Sequence, residues 1–507
     1  MKKIFYGTLC CLLLYTVQSD AQNKLSQEQV ELTQLRKYEQ NNLSKMSMPV
    51  PGPEENEQLF GARLMRSATL LETSNPNRKL PVFVLIYGQS ITGSKSFTDN
   101  VREYLEGKFP YADIRIENRS IGGFGGEHLI RPAVHDIYRA CPDLIIFHVY
   151  GGENHGELET FFSNVRRYTT ADIILLNHHI NGSKDVIKYN KFSYDYLRYI
   201  ANKYNCELVD LTRNWSRYLV DNNLSVKDLL RDNTHPNRDG NWLMIQLIGR
   251  HIRLNTLYPS NWYEVVRSYY VKNAYDMDSE NPLKFHGEPW KMIGGVACGE
   301  NEKGSLCLTF DGSRIDLVAG IVPEGRKMGT ARILIDGKPV SRNTSLYTIT
   351  RPGAGPGTWF PLVRRIEHKT VLIPEKWTLR VDAVNADSTV WTFSVYGSKT
   401  GFDGSGTSDR AFVSKSGRVV IAPDDFMFVK IKNTFKTVAK PGFESTWTVE
   451  PLYKEIYSTP LIDDAKKVYK TTIVQGLTNT LHTLEIVPAG DGIVPIEAIE
   501  VHRPPLR

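Results

Sequence analysis

The chain has 507 residues, of which 41% are hydrophobic and 23% are charged. This composition excludes an intrinsically disordered chain, and the length predicts two or three domains because one hydrophobic core rarely organises so many residues. The formal net charge of +6 is small for this length, and no dense run of Lys and Arg is present, so the charge does not favour nucleic acid as a partner.

The first 21 residues form a distinct segment. Lys2 and Lys3 precede an apolar run at 4–17, and Ser19 and Ala21 place small residues three and one positions before a cleavage site. This layout is typical of a secretory signal peptide, and the run is short for a membrane span. We therefore expect cleavage after Ala21, a secreted or periplasmic protein, and no stable membrane insertion once the signal is removed. An uncleaved anchor is the alternative.

Residues 22–75 are polar and rich in Gln, Asn, Glu and Lys. We interpret them as a leader that is packed on or tethered to the body of the protein. A surface helix is predicted at 28–41, and the leader carries no recognisable chemistry.

Short apolar runs alternate with helix-length segments between residues 76 and 258. Strands that are apolar on both faces and alternate with helices are typical of a parallel sheet enclosed by helices. We therefore predict an α/β domain at 76–258, in which ligands bind at the carboxyl ends of the strands. The predicted strands are 82–87, 114–117, 144–149, 173–176 and 208–210, and the predicted helices are 98–108, 128–140, 158–168, 194–204 and 239–253.

Beyond residue 259 the pattern indicates antiparallel β-structure of the sandwich type, because alternating or apolar segments are separated by Gly, Asp, Asn and Pro. About 250 residues exceed a single sandwich, so we interpret 345–455 as a second β-module that interrupts the first. Asp311-Gly312 and Asp336-Gly337 are predicted turns. The predicted strands are 305–310, 314–318, 331–335, 377–384, 389–396 and 482–487.

Four cysteines follow the signal segment. Cys298 and Cys307 flank a polar turn, and whether they form a disulfide is left open by the sequence. Cys141 and Cys206 lie beside apolar strands and are predicted to be buried free thiols. No spacing of Cys and His resembles a zinc site, so no metal ligand is predicted.

The first candidate functional segment is 87–92, at the end of the first predicted strand. Ser90 follows Gly88 just past that strand, where a tight turn can expose a hydroxyl and leave a backbone N–H facing substrate. An ordinary helix cap explains Ser90 equally well when it is considered alone.

Two further segments follow predicted strands and are rich in glycine. Four glycines within 122–126 permit a close approach of backbone to a ligand, although a flexible turn is the alternative. In the segment 151–155, Asn154 follows the third strand, where its amide can donate to a developing oxyanion. A turn asparagine is the alternative there.

The fourth segment, 232–240, lies just before the last predicted helix. Asp232 and His235 are three positions apart and are followed by a proline, so they can act as an orienting carboxylate and a general base. A solvated loop histidine is the alternative. His178 and His179, after the fourth strand, are further candidates to line a cleft.

Together these four segments resemble, in order, the sequence blocks of the SGNH (GDSL-like) hydrolase family over residues 80–255. The resemblance implies a three-layer α/β/α, flavodoxin-like fold and a serine esterase that needs no metal or organic cofactor. It places the nucleophile on Ser90, the base on His235 and the orienting acid on Asp232. The implied oxyanion donors are the N–H groups of Ser90 and Gly123, with Gly122 as the competing glycine, and the amide of Asn154.

Two residues depart from the family's pattern. Gln89 and His155 stand where the family usually has aspartate. Neither carries the implied mechanism, but both put a transfer of substrate specificity in doubt. Gln89, Glu153 and His155 are therefore candidate substrate contacts.

A secreted esterase joined to a large β-region resembles enzymes that remove acetyl or related acyl groups from polysaccharides, so an ester-bearing carbohydrate is the expected partner. Trp359, Trp377 or Trp391 could stack on sugars.

The Gly-x-Ser-x-Gly motif of the α/β-hydrolases is missing from the chain. The alternatives are an inactive glycan-binding surface protein and a glycoside hydrolase that uses Glu127, Glu153 or Asp232.

Overall fold

The computed structural model describes residues 48–152, 156–181, 191–260, 263–275 and 282–507. The signal segment and the predicted helix at 28–41 lie outside these residues. Among the described residues, no helix combines the length and the apolar character needed to cross a membrane.

A parallel five-stranded sheet forms the first part of the protein, as the sequence predicted. Its strand order is β2-β1-β3-β4-β5, one of the common orders of doubly wound sheets. Every residue of β3 and β4 is buried, which explains why these strands are apolar on both faces. The strands are β1 Pro81–Tyr87, β2 Asp113–Asn118, β3 Leu144–His148, β4 Asp172–Leu176 and β5 Glu207–Val209.

Helices cover both faces of this sheet. One face packs against α1, α2, α7 and α8, and the other against α3 to α6. The α-helices are α1 Met65–Thr73, α2 Lys95–Lys108, α3 Gly126–Leu129, α4 Ala133–Asp136, α5 Glu157–Tyr168, α6 Leu197–Lys203, α7 Leu211–Asp221 and α8 Arg238–His251. A π-helical segment, Phe192–Tyr196, precedes α6, and short 3-10 helices lie at Glu57–Leu59 and Val226–Asp228.

The helices differ from the prediction at three places. The single helix predicted at 128–140 is two short helices, because Pro132 precedes α4 and a proline lacks the N–H that a continuous helix needs. The helix α1 lies within the segment interpreted as a polar leader, yet it buries Ala68 and Leu71 against the sheet. The helix α7 was not predicted.

The β-rich part begins with a ten-stranded antiparallel sheet. The order is β12-β11-β21-β10-β22-β9-β8, with β20 paired to β11, β7 to β10 and β6 to β22. Its strands are β6 Val266–Tyr270, β7 Leu283–Gly287, β8 Lys291–Ile293, β9 Val296–Gly299, β10 Gly304–Ala319, β11 Thr330–Ile335, β12 Lys338–Pro339, β20 Ile456–Ser458, β21 Lys470–Pro488 and β22 Val494–His502. Short 3-10 helices lie at Tyr263–Val265, Val271–Tyr275 and Val340–Arg342.

A second antiparallel sheet, here called the inserted sheet, lies between β12 and β20 in the chain. Its order is β13-β19-β14-β15-β16. The strands are β13 Tyr347–Ile349, β14 Lys376–Val384, β15 Trp391–Gly397, β16 Gly401–Thr407 and β19 Glu444–Pro451. A small hairpin, β17 Phe412–Val413 with β18 Val420–Ile421, a 3-10 helix Pro423–Asp425 and helix α9, Phe428–Phe435, accompany it.

The inserted sheet and the parallel sheet share one hydrophobic core on the side of α3 to α6. Phe124 and Phe360 meet there with ring centroids 4.8 Å apart. Arg131 forms a two-pronged ion pair with the buried Asp425 at 2.7 and 2.6 Å, and Arg351 does the same with the buried Asp136. This interface holds the inserted sheet next to the carboxyl ends of the parallel strands.

The two predicted turns have different outcomes. Asp336-Gly337 is a turn between β11 and β12, and both residues have a positive φ, as the prediction required. The prediction for Asp311-Gly312 was wrong. These residues lie inside β10, where the pairing with β21 shifts register just after Gly312, so the pattern marked a β-bulge.

All four cysteines are free thiols, and the burial predicted for Cys141 and Cys206 is confirmed. Cys298 and Cys307 are not joined. They lie on β9 and β10, and β22 lies between these two strands in the sheet.

Candidate functional site

Ser90 lies in a tight turn directly after β1, at the carboxyl end of the sheet, and is half-buried. Gly88 is required at this turn because a Cβ there would come within 2.7 Å of the His148 carbonyl oxygen and of Thr92 Oγ1. The turn closes through a 2.8 Å hydrogen bond from the Gly93 N–H to the Gln89 carbonyl. The backbone that carries the Ser90 side chain is therefore held in place by this turn.

The loop before α8 brings His235 to Ser90. The Ser90 hydroxyl lies 2.9 Å from His235 Nε2, although the two residues are 145 positions apart. The loop is closed by a 3.0 Å hydrogen bond from the Arg231 N–H to the His235 carbonyl. Asn237 ends the loop, because its side chain caps α8 by accepting from the Gly240 N–H.

Asp232 lies on the far side of the His235 ring. Its carboxylate oxygens are 3.0 and 3.1 Å from His235 Nδ1. The backbone N–H groups of His235 and Thr234 donate to Oδ1 over 2.7 and 2.8 Å, and these bonds are the main reason why the pKa of Asp232 lies well below its ordinary value. Asp232 is therefore held ionised, with the geometry to orient the His235 ring and stabilise its charged form.

The glycine-rich loop after β2 lies beside Ser90. The Ile121 N–H ties it to the Gly88 carbonyl over 2.8 Å, and a Cβ on Gly122 would lie 3.5 Å from Ser90 Cβ. Gly123 has a φ of +82°, which favours glycine. Within the described ranges, the N–H groups of Ser90, Gly122 and Gly123 have no protein acceptor. These donors are thus available to an oxyanion next to Ser90.

The connection between β13 and β14 of the inserted sheet contributes Trp359 to this site. The indole N–H donates to the Gly122 carbonyl over 2.9 Å, while 60% of the residue remains exposed. Phe360 and Phe435 pack edge-on against it. The indole thus offers an open face next to the nucleophile turn. Nothing in the sequence pattern around 359 predicted this contact, because it depends on how the two sheets pack.

The other two tryptophans that were considered for sugar stacking are core residues. Trp377 and Trp391 are fully buried in the inserted sheet, so they cannot meet a ligand. Trp391 also donates its indole N–H to the Ala439 carbonyl.

Three histidines lie at the carboxyl ends of β3 and β4, beside the loops that carry Ser90 and His235. His148, the last residue of β3, is fully buried, and His178 and His179 follow β4. His148 Nε2 lies 3.3 Å from His178 Nδ1, and the His178 and His179 rings are 4.4 Å apart. His179 Nε2 donates to the Thr234 carbonyl over 2.9 Å and so anchors the loop that carries the candidate base. His148 was missed, although a polar residue at the end of an apolar strand was a signal.

Burial keeps these three histidines neutral. It holds the pKa of His148 well below its ordinary value, with the neighbouring His178 adding to the effect. Burial lowers the pKa of His178 to about 4, with a contribution from His235, and that of His179 to about 3.

The structure turns the Gln89 side chain into the protein interior, which argues against the substrate contact suggested by the sequence. It is fully buried, and its amide bonds to His148 Nδ1 at 3.0 Å and to the Ile91 N–H at 3.2 Å. Glu153, Asn154 and His155 lie outside the described residues, so their roles stay predictions. Glu127 folds against the glycine loop, because a Cβ on Gly125 would lie 2.7 Å from its Oε2.

One group of possible metal ligands lies far from Ser90 in the chain. Asp316, Glu500 and His502 approach one another in the ten-stranded sheet. Arg314 pairs with Asp316 at 2.6 Å and Lys470 with Glu500 at 2.8 Å, so cationic side chains already neutralise these carboxylates.

No protein-family model matches this chain, and no curated protein matches it either. Among solved structures, the chain is similar to a two-domain esterase active on acetylated mannans. The identity is 13%, the match covers 89% of this chain and 99% of the esterase chain, and the TM-score is 0.33. A mutant of Axe2, an acetylxylan esterase from Geobacillus stearothermophilus, matches 35% of this chain and 96% of its own at 20% identity and a TM-score of 0.31. LAE5, an alpha/beta hydrolase from the metagenome of Lake Arreo, matches 34% of this chain and 97% of its own. Its identity to this chain is 19%, and the TM-score is 0.30.

Proposed function

We propose that the protein is a serine esterase of the SGNH type that removes acetyl or similar acyl groups from a polysaccharide or oligosaccharide. The observation that carries this proposal is the continuous chain of contacts from the Ser90 hydroxyl through the His235 ring to the Asp232 carboxylate. A hydroxyl, an imidazole and an ionised carboxylate in this order form the arrangement that activates a serine for attack.

In this mechanism Ser90 Oγ attacks the ester carbonyl carbon while His235 Nε2 accepts the hydroxyl proton. Asp232 accepts a hydrogen bond from Nδ1–H, which fixes the tautomer that can act as base and stabilises the imidazolium. His235 then gives the proton to the leaving alcohol. Water gives a proton to His235 as it attacks the acyl-enzyme. The bond from the acyl carbon to Ser90 Oγ then breaks, His235 returns the proton to Ser90 Oγ, and the carboxylic acid leaves.

The oxyanion of each tetrahedral intermediate would accept hydrogen bonds from the N–H groups of Ser90 and Gly123. Both groups are free of protein acceptors in the described part of the chain. The Asn154 amide is the proposed third donor, by resemblance to the family. Removing one such donor typically slows catalysis by about 10² to 10³-fold.

Trp359 supports a carbohydrate as the substrate. Its flat, exposed aromatic face lies next to the nucleophile and suits the apolar face of a sugar ring. The indole N–H of Trp359 already donates to the Gly122 carbonyl. The face is therefore held in one orientation before substrate arrives.

A glycoside hydrolase is less well supported. Such enzymes need one carboxylic acid with a raised pKa to protonate the leaving group. Asp232 has its pKa lowered by the N–H groups of His235 and Thr234, so it is poorly suited to be that acid.

The test is a set of hydrolysis assays on a chromogenic acetyl ester and on acetylated oligosaccharides. The wild type should release acetate, and Ser90→Ala and His235→Ala should each lose on the order of 10⁴-fold or more in rate. Ser96→Ala, at an exposed serine of α2, is the matched control and should keep its activity.

Hydrolysis that survives Ser90→Ala would contradict the nucleophile assignment. Release of free sugar without acetate would favour the glycosidase, and glycan binding without turnover would favour a binding protein. Export with cleavage after Ala21 is part of the same proposal, and N-terminal sequencing of the mature protein tests it.

A further inference from the structure

A hydrogen-bonded chain of four side chains runs from the turn of Ser90 toward solvent. The amide nitrogen of Gln89 lies 3.0 Å from His148 Nδ1, and His148 Nε2 lies 3.3 Å from His178 Nδ1. At the outer end, His178 Nε2 lies 3.3 Å from the side-chain amide of Asn181. Gln89 and His148 are fully buried, His178 is half-buried and Asn181 is exposed.

The inner end of this chain decides which ring nitrogens carry protons. The Gln89 amide cannot turn around, because its Oε1 accepts from the Ile91 N–H. Gln89 Nε2 must therefore donate to His148 Nδ1. A neutral imidazole has one N–H, so the proton of His148 is on Nε2 and is donated to His178 Nδ1. By the same rule the proton of His178 is on Nε2.

The tautomers fixed by Gln89 at the inner end also determine the orientation of the Asn181 amide at the outer end. If the Asn181 amide nitrogen donated to His178 Nε2, both rings would reverse and an N–H of His148 would face the N–H of Gln89 in a buried site. Two buried donors without an acceptor are far more unfavourable than a rotation of an exposed amide. The structure places the Asn181 amide nitrogen 3.3 Å from His178 Nε2, so this exposed amide must rotate to offer its oxygen to His178 Nε2–H. Burial lowers the pKa of both histidines, which agrees with singly protonated rings.

We propose that Gln89 is the positioning residue of this chain and that it fixes His178 as a neutral hydrogen-bond donor, through Nε2–H, to an oxygen of the bound substrate. His178 lies beside Tyr150, which is 42% exposed, with ring centroids 5.8 Å apart. Its ring is also 4.4 Å from that of His179, which donates to the Thr234 carbonyl in the loop of His235. An acceptor oxygen of the sugar, which a small chromogenic ester lacks, would replace the Asn181 oxygen. The binding role rests on the proposed function, whereas the proton positions do not.

The proton positions are tested by ¹⁵N NMR of the histidine rings in the whole protein without substrate. We expect Nε2–H on His148 and His178. His135 is an internal reference with the opposite tautomer, because its Nδ1 donates to the Ile349 carbonyl and its Nε2 accepts from the Ile366 N–H. A proton on His178 Nδ1 in the wild type would overturn the proposal.

The Gln89→Glu variant should reverse the chain. A carboxylate keeps the bond from the Ile91 N–H but accepts from His148 Nδ1–H, so His178 should carry its proton on Nδ1. Gln89→Met removes the inner donor, and His178 should then show both tautomers. An unchanged His178 tautomer in both variants would also overturn the proposal. Gln475→Glu is the matched control, because this buried glutamine donates to the Tyr138 and Arg139 carbonyls elsewhere.

The substrate role is tested by the kinetics of the same variants. Gln89→Glu should raise KM for an acetylated oligosaccharide about tenfold more than KM for a small chromogenic ester, as expected for one lost hydrogen bond. Equal changes for both substrates would refute the substrate contact. If the wild type hydrolyses neither ester, the proposed function fails, while the NMR result still decides the proton positions.

Discussion

The indole N–H of Trp359 donates to the carbonyl of Gly122 across the boundary between the inserted sheet and the parallel sheet. That carbonyl belongs to the same peptide unit as the N–H of Gly123, and in a trans peptide the two groups point in opposite directions. Holding the carbonyl on Trp359 therefore aims the Gly123 N–H away from the indole. A residue in the loop between β13 and β14 thus fixes the orientation of a proposed oxyanion donor.

Two substitutions of Trp359 should separate its two roles. Trp359→Phe keeps an aromatic face but removes the N–H, so kcat for a small acetyl ester should fall by about tenfold as the Gly122–Gly123 peptide loosens. Trp359→Ala removes the face as well and should in addition raise KM for an acetylated oligosaccharide by about tenfold. Steady-state kinetics on both substrates measure the two effects. An oligosaccharide KM that is the same in Phe and Ala variants would contradict the stacking role.

Replacing Asp232 by Asn should leave the loop in place but slow the reaction. An amide oxygen still accepts from the backbone N–H groups of Thr234 and His235, whereas the amide no longer stabilises the imidazolium of His235. We expect kcat to fall by about 10³ to 10⁴-fold. The comparison uses kcat for the chromogenic ester, with circular dichroism to confirm folding. A loss below tenfold would show that Asp232 does not orient the base.

Stability should decrease in mild acid because buried histidines must become charged when the protein unfolds in acid. The pKa of the buried His135 is lowered to about 4 by burial, with Arg139 and Arg351 adding to the effect. Since this folded-state pKa is depressed, the stabilisation is complete above the ordinary pKa of 6.5 and is lost as pH falls toward 4. Each such histidine contributes a slope of about 1.4 kcal/mol per pH unit in that window.

Urea unfolding between pH 7 and pH 4, values chosen to span that window, tests this slope. His135→Gln removes one titrating group, so the difference in unfolding free energy between wild type and variant should shrink as pH falls. A difference that stays constant with pH would show that His135 does not contribute to the acid sensitivity.

The interface between the two sheets should depend on Arg351. Its guanidinium pairs with the buried Asp136 and also donates to the Arg119 carbonyl at 2.6 Å. Arg351→Leu leaves a buried carboxylate without a partner and should lower the unfolding free energy by about 3 to 5 kcal/mol. Arg102→Leu is the control, because Arg102 pairs with Glu106 on an exposed surface and such pairs contribute about 1 kcal/mol or less. Similar losses of unfolding free energy in both variants would show that the buried interface pair stabilises the protein no more than a surface pair does.

The sequence was sufficient to predict the five parallel strands and the local chemistry at their ends. Strands buried on both faces are apolar throughout, and turn residues follow them at once, so both features are visible in a short window of sequence. Ser90, Asp232 and His235 were named because four such segments together resemble the blocks of the SGNH family. Asp232 and His235 are three positions apart, and their contact depends on one local turn.

The contacts that tertiary structure alone decides join distant parts of the chain. The 2.9 Å contact of Ser90 with His235, the buried bond of Gln89 to His148 and the contact of Trp359 with Gly122 span 145, 59 and 237 positions. Gln89 was considered a substrate contact because it replaces an aspartate of the family pattern, but the turn after β1 points its side chain inward to His148 on the neighbouring strand. Local patterns determine which residues stand at the strand ends, whereas the order of the parallel strands and the packing of the two sheets determine which of them face each other.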